Sequence, residues 1–387
     1  MHGLPSAYRA AVNTPRAENH PSTLSRLVMS RTVIAVVALS GLLGACTSTK
    51  ELLPHSVYYQ HGTWEEPQVW RMEADGSTTV QLTHEGAGVT HYAVSPADGS
   101  LAFVSGNQLF LMDDRGQNQR LVADGNRVDE ETEDYVFRGF VESPVFSPNG
   151  RTLAYAFDGL HLYDIETGED RHVLTNLGNL LREPFVFAKE SYYPGTWSPD
   201  GDKLLIIMGY FEGATLAVME PGAAEPFRRL WSDGAVCCTY QWTPDSRSVL
   251  VANPTYGVHW PGLWRFDSET GEESELVTTL PGSPRFVGWP VQLRSGDLLY
   301  FYGERFSPDE GIPQVMVRSG PDGTDRTQLR PEAFHISDAM WAEDGSLVLI
   351  SQFSDSDAMQ VILARPDATR LEILIEGERI WDLQWGP

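Results

Sequence analysis

Few side chains in this sequence are equipped for chemistry, and their spacing narrows what they can do. There are three cysteines, Cys46, Cys237 and Cys238, too few for a disulfide framework. The adjacent pair Cys237-Cys238 is either a vicinal disulfide, whose strained ring is easily reduced, or two small apolar residues in a strand. Beyond residue 50 the histidines (His55, His61, His84, His91, His161, His172, His259 and His335) are dispersed. His-Glu-x-x-His, Cys-x-x-Cys, Gly-x-x-x-x-Gly-Lys and Gly-x-Ser-x-Gly do not occur. That leaves no ready zinc, redox, phosphate or nucleophile-elbow motif and no assignable catalytic residue. The densest charge cluster is Asp129-Glu130-Glu131-Thr132-Glu133-Asp134. Oxygen-rich runs can hold calcium, but the glycine-centred spacing of a calcium loop is missing, so a solvated acidic loop is the simpler reading. No cofactor is expected on these grounds.

The chain has 387 residues, 41% of them hydrophobic. It can bury a large core, which excludes a disordered tail or a disulfide-stapled miniprotein. Asp and Glu number 53 against 28 Lys and Arg, a net charge of −25. Such a body is repelled by phosphate backbones, so nucleic acid is not an expected partner. The 35 glycines and 25 prolines are spread along the chain, which suits many tight turns rather than a helical bundle.

The elements that must position the reactive side chains come from a repeat. An aromatic or apolar anchor followed by Ser/Thr-Pro and a turn occurs at Val94, Phe146, Trp197 and Trp242, with looser copies at Trp289, Trp341 and Trp385. Successive anchors lie 52, 51, 45, 47, 52 and 44 residues apart. Apolar, β-prone runs follow each turn, from Leu101–Ser105 to Leu347–Ser351, with a further copy at Val57–Gln60. A third and a fourth run complete each unit, as at Leu160–Asp164 and Thr79–Thr83. Short strands in fours at this period predict an all-β fold: a single β-propeller of seven four-stranded blades. The first blade lacks its innermost strand and Trp381–Trp385 is left over. Pairing the C-terminal strand with the N-terminal blade closes the ring and removes exposed edges.

The repeat, over residues 55–387, resembles the TolB-like, WD40-like (PD40) propellers of bacterial envelope proteins. Propeller-bearing peptidases carry similar repeats, but the missing Gly-x-Ser-x-Gly, and the lack of a hydrolase domain after the propeller, set this sequence apart from them. Some TolB-like lyases acting on pectic fragments hold a channel metal with histidines, and that resemblance directs attention to His84, His91 and His335.

In such a ring the second turns and the blade-to-blade connections share one face, and they contain the long segments 62–68, 209–215, 254–262, 303–314, 353–360, 123–141 and 176–192. Long loops on a rigid scaffold are where binding concentrates. The expected binding-face aromatics are Trp64, Tyr210, Phe211, Tyr256, Trp260 and Phe306. Counting back from the anchors puts Thr90, Glu142, Tyr193, Cys238, Arg285, Ser337 and Trp381 at one level of the channel, with His91 and Asp338 one residue further in. The candidate channel-mouth ligand site is His91, Glu142, Tyr193, Cys238, Arg285 and Asp338.

The N-terminus carries an address. Val33–Ala45 is an uncharged run following Arg31, too short to span a bilayer and suited to a secretory h-region. It ends Leu43-Gly44-Ala45-Cys46, which resembles the lipobox of bacterial lipoproteins. The resemblance implies cleavage before Cys46 and acylation of its thiol, so the lipid is the membrane partner. The domain reading is then an extended or non-native segment 1–28, a signal peptide 29–45, a tether 46–54 and a propeller 55–387. Residues 1–45 hold four Arg and one Glu, so their removal takes the net charge to −28. By resemblance to Gram-negative lipoproteins, Thr47 rather than Asp after the cysteine implies a periplasm-facing outer-membrane location if the host is Gram-negative. The functional expectation is a non-catalytic lipoprotein scaffold in the cell envelope whose long-loop face binds an envelope protein or peptide. The alternative is a small-ligand or carbohydrate-binding propeller, including a metal-dependent lyase or sensor at the channel.

Overall fold

The computed structural model describes residues 51–126, 140–182, 185–210, 213–230, 239–253, 261–278, 286–304, 312–354 and 358–387, the side chains of 178–189 excepted. Among them there is no helix, and seven antiparallel sheets form the predicted propeller. Blade 1 is assembled from both ends of the chain: its inner strand, Ile380–Trp385, pairs with Val57–Gly62, which is followed by Pro67–Met72 and Thr79–Gln81. Blades 2 to 7 begin with the inner strands His91–Val94, Glu142–Phe146, Phe185–Trp197, Thr239–Trp242, Phe286–Gln292 and Ile336–Trp341.

The second strand of each blade is apolar on both faces because it is sandwiched between neighbouring blades. Leu101–Ser105 and Leu204–Met208 are buried throughout. Seven hydrophobic clusters result, one per joint. Leu160 and Leu162 of blade 3 meet Leu204 and Ile206 of blade 4, for example, while Leu349 and Leu363 of blade 7 meet Val57 and Met72 of blade 1. Each fully buried side chain of this size contributes about 1.5–3 kcal/mol.

The first turns explain the Ser/Thr and Asp of the repeat. In blade 5 the Thr243 hydroxyl donates to Asp245 at 2.7 Å and accepts from the Ser248 amide at 3.0 Å. Ser198, Asp200 and Lys203 repeat the knot in blade 4, and Ser147, Asn149 and Thr152 in blade 3. Third turns use Asp caps: Asp75 accepts from the amides of Ser77 and Thr78, both at 2.8 Å, which holds its pKa down at about 2. Much of the acidic surplus is therefore turn chemistry. Gly323 closes the third turn of blade 6 at φ +78, where a Cβ would sit 1.9 Å from the Leu276 carbonyl oxygen of blade 5.

Two sequence expectations are corrected. The segment 176–192 is not a loop: Leu177–Arg182 pairs with Phe185–Glu190, a hairpin that extends the inner strand of blade 4. The second turns of blades 1 and 4 are short, with Gly62 paired to Pro67 and Tyr210 to Gly213. The run preceding blade 1 is docked: the Leu52 and Leu53 amides donate to the Ala74 carbonyl at 2.8 and 3.0 Å, and Leu53 enters the blade 7–blade 1 core.

Candidate functional site

Strand register gives the true channel level. His91 pairs with Val104, Glu142 with Ala156, Tyr193 with Ile207, Thr239 with Ala252, Gly288 with Phe301, Asp338 with Ser351 and Trp381 with Gln60, all at equivalent positions of the second strands. Counting back from anchors thus gives the right residue in blades 1, 3 and 4, but misses by one in blades 2, 5 and 7. The cause is a β-bulge between channel level and anchor in blades 1, 3, 4 and 6, which inserts one residue into the inner strand. Ser143, Trp289 and Asp382 sit in these bulges at φ 55, 48 and 58. In blade 6 the anchor position is held by Gln292, paired to Leu298 as Trp341 is to Val348; Trp289 lies upstream of it.

Of the six channel candidates, His91, Glu142, Tyr193 and Asp338 share this level; Cys238 and Arg285 lie outside the described residues, as does Cys237. His91 Nε2 is 3.9 Å from Glu142 Oε2 across the blade 2–blade 3 joint. Tyr193 belongs to the hydrophobic core, and burial, with Glu142 adding to it, pushes its phenol up to about 12. Asp338 is 7% exposed. Its carboxylate accepts from Trp289 Nε1 at 3.2 Å, from its neighbour Ala339 at 2.9 Å and from the Leu383 amide of blade 1 at 3.4 Å. Tyr92 donates to the Asp382 carbonyl, and burial, then Asp382 and Asp338, raise its pKa well above the usual value.

Two cavities meet in the channel. One, of about 330 Å³, includes His91, Ser143, Pro194, Tyr240 and Asp382 in its lining. The other, of about 810 Å³, is lined by Trp242, Trp289, Trp341 and Trp385, and shares Tyr240, Gln241, Met340, Leu383 and Trp385 with the first. Its rim includes Pro199, Pro244, Asp245, Arg294 and Glu343, which belong to first turns. The larger described cavity therefore opens on the short-turn face, where the sequence reading placed no site. The anchor tryptophans were visible as a repeat; what the repeat does not announce is that their indoles line a cavity.

The binding-face candidates divide. Trp64 is 72% exposed, and its ring stacks with Trp381, the two centroids 6.5 Å apart, with the Arg379 guanidinium over both. Tyr210 is half-buried and packs against the blade 3–blade 4 core. Phe211, Tyr256, Trp260 and Phe306, like the acidic run 129–134 and Cys46, fall outside the described residues. Among the described residues no three His, Cys, Asp or Glu side chains converge to hold a metal, His84, His91 and His335 included.

No family model matches the chain. It is 26% identical over 236 residues to dipeptidyl-peptidase 5 of Aspergillus fumigatus, a match covering 55% of this chain and 30% of that enzyme. The match therefore spans under a third of the length of this curated relative. Among solved structures, a puromycin-hydrolysing peptidase of Mycobacterium tuberculosis aligns over 85% of this chain and 53% of its own at 15% identity, TM-score 0.55. TolB of Acinetobacter baumannii covers 86% and 82% at 13% identity, TM-score 0.46. These structural likenesses concern the fold. The sequence match overturns the expectation of a non-catalytic envelope scaffold, with its lyase or sensor alternative. The matched relative is named a peptidase, the class from which the absence of the elbow motif separates this chain in the sequence-based expectation.

Proposed function

We propose that this propeller is the substrate-engaging part of a peptidase of the dipeptidyl-peptidase kind and takes the end of an extended peptide into its central channel. The observation that carries the reading is the 236-residue match to dipeptidyl-peptidase 5. The channel offers suitable geometry: apolar walls with a few fixed polar groups, in a cavity of about 810 Å³ that continues into a second, within the range that binds small ligands and peptide ends. We assign to the propeller the selection of the peptide whose bond the peptidase breaks. Calorimetric titration of the purified full chain with tri- and tetrapeptides tests this. Saturable binding is expected, and failure of every peptide to bind ends the proposal.

We also propose that Cys46 is acylated and holds the protein at a cell-envelope membrane, the outer one in a Gram-negative host. The uncharged run Val33–Ala45 and the small residues before Cys46 support this. With Leu52 docked on blade 1, the stretch of chain from Cys46 to Leu52 can span at most about 20 Å, which would keep the propeller close to the lipid. Replacing Cys46 with Ala should move folded protein to the soluble fraction; persistent membrane attachment would contradict the anchor.

A further inference from the structure

The bowl on the short-turn face has a chemistry of its own. Four tryptophans, Trp242, Trp289, Trp341 and Trp385, are among the residues that line it. The acidic and basic side chains in its lining are Asp245, Arg294, Asp338 and Glu343, with the Tyr240 phenol beside them. The single base, Arg294, is engaged at the rim with Glu343 at 2.5 Å. In the adjoining cavity the lining includes another acid, Asp382 of blade 1, and His91 of the neighbouring blade 2. Asp338 is the buried member of this set, and three N–H donors from three residues hold its carboxylate in place. A fixed carboxylate at the inner end of a low-dielectric cleft concentrates cations, and indole faces attract them further through the ring quadrupole.

We propose that this bowl is a cation subsite: it receives an ammonium or guanidinium group of a peptide, with Asp338 as the counter-charge and the indole faces as walls. The proposal rests on the peptide reading above and adds the substrate class, namely peptides that carry positive charge at or near the end that enters. It also fixes the side of entry, which is the face of the first turns. The acidic turn caps ringing that face, Asp98, Asp200, Asp245 and Asp344, all held below the ordinary carboxylate pKa, supply the long-range attraction for such a peptide. Burial opposes the shift at each; bonds from Ser or Thr hydroxyls and backbone amides outweigh it.

The test uses the full chain and four peptides: Lys-Phe-Ala amide, its Nα-acetyl form, its norleucine analogue, and the doubly neutral acetyl-norleucine version. Binding is followed by calorimetry and by tryptophan fluorescence. The parent should bind at least about tenfold more tightly than the doubly neutral peptide, with the two singly neutral forms showing whether the α-ammonium or the side-chain cation is used. High salt should shrink the difference. Asp338→Asn should bring the parent to the affinity of the neutral peptide while leaving the latter unchanged. Equal affinities across the series overturn the cation subsite and leave the peptide reading standing; no binding by any of the four overturns both. If Asp338→Asn fails to fold by circular dichroism, the peptide series on the unmodified protein decides alone.

Discussion

Two halves of the ring are closed by different means. Around blades 7 and 1 the anchors stitch one blade to the next: Trp341 Nε1 donates to the Trp289 carbonyl of blade 6 and Trp385 Nε1 to the Trp341 carbonyl of blade 7, both at 2.9 Å. Trp242 does the same to Thr196 of blade 4 at 3.1 Å. Blades 2 and 3 have Val94 and Phe146 at these positions, with no indole to donate. At the blade 1–blade 2 joint a side-chain amide takes over: Gln384 donates to the Tyr92 carbonyl at 3.0 Å and accepts from the Val94 amide at 3.1 Å. The large cavity lies against the indole-stitched side. One set of residues thus locks the ring and forms the wall of its binding bowl, so stability and ligand affinity should fall together there and separate elsewhere.

Four measurements bear on that contrast. Trp341 is buried, packs on Phe301 at a centroid distance of 5.4 Å and donates its indole N–H. Trp341→Ala should cost about 3–5 kcal/mol in urea unfolding, whereas Val94→Ala should cost about 1–2 kcal/mol for two buried methyl groups. Gln384→Ala strands a backbone donor and an acceptor at the closing joint and should cost about 1–3 kcal/mol with the peptide affinity little changed. Trp197 offers the sharper comparison, because its buried Nε1 has no hydrogen-bond partner among the described residues. Both Trp197→Phe and Trp341→Phe remove the same volume from a buried site, so Trp341→Phe should cost about 1 kcal/mol more than Trp197→Phe, the hydrogen bond being the difference. Equal costs would show that the indole stitch contributes nothing.

The smallest effect is the pH dependence of the turns. Asp75, Asp113, Asp164, Asp267, Asp322 and Asp367 all have folded-state pKa values below the ordinary 3.8, with amide or hydroxyl donors the leading cause. A depressed carboxylate binds fewer protons folded than unfolded, so its stabilisation is present above about pH 4 and disappears as pH falls through the folded value. For Asp75 that value is about 2. Urea midpoints should therefore be level from neutrality down to about pH 4 and decline below it. Because these caps belong to turns in every part of the ring, the decline should be the same in Trp341→Phe as in the parent.

The blade count and the ring closure were legible because the anchors recur and because one strand was missing at the start and spare at the end. The channel level was legible only in part. A one-residue bulge reverses which side chains face the channel, and counting from anchors cannot see it. The signal was nevertheless present in three blades: Pro144, Pro194 and Pro290 lie within the inner strands of blades 3, 4 and 6. Proline lacks the N–H a ladder needs and so marks a bulge. The inner strands of blades 2, 5 and 7, which keep register between channel level and anchor, contain none. In blade 1 the bulge falls at Asp382, which a sequence does not single out. The cavity was missed because loop length pointed to the other face, and nothing in a repeat of tryptophans tells whether their indoles fill a space or border one.

The most direct test of the account is photo-crosslinking with a Lys-containing peptide that carries a benzophenone, followed by mass-spectrometric mapping of the adducts. The account predicts adducts on the inner strands and first turns of blades 5, 6, 7 and 1, within Thr239–Trp242, Phe286–Gln292, Ile336–Trp341 and Ile380–Trp385 and the turns that follow the first three, competed by unlabelled peptide and weakened in Asp338→Asn. Adducts confined to the segments 254–262 and 303–314 would place the site on the opposite face and contradict it.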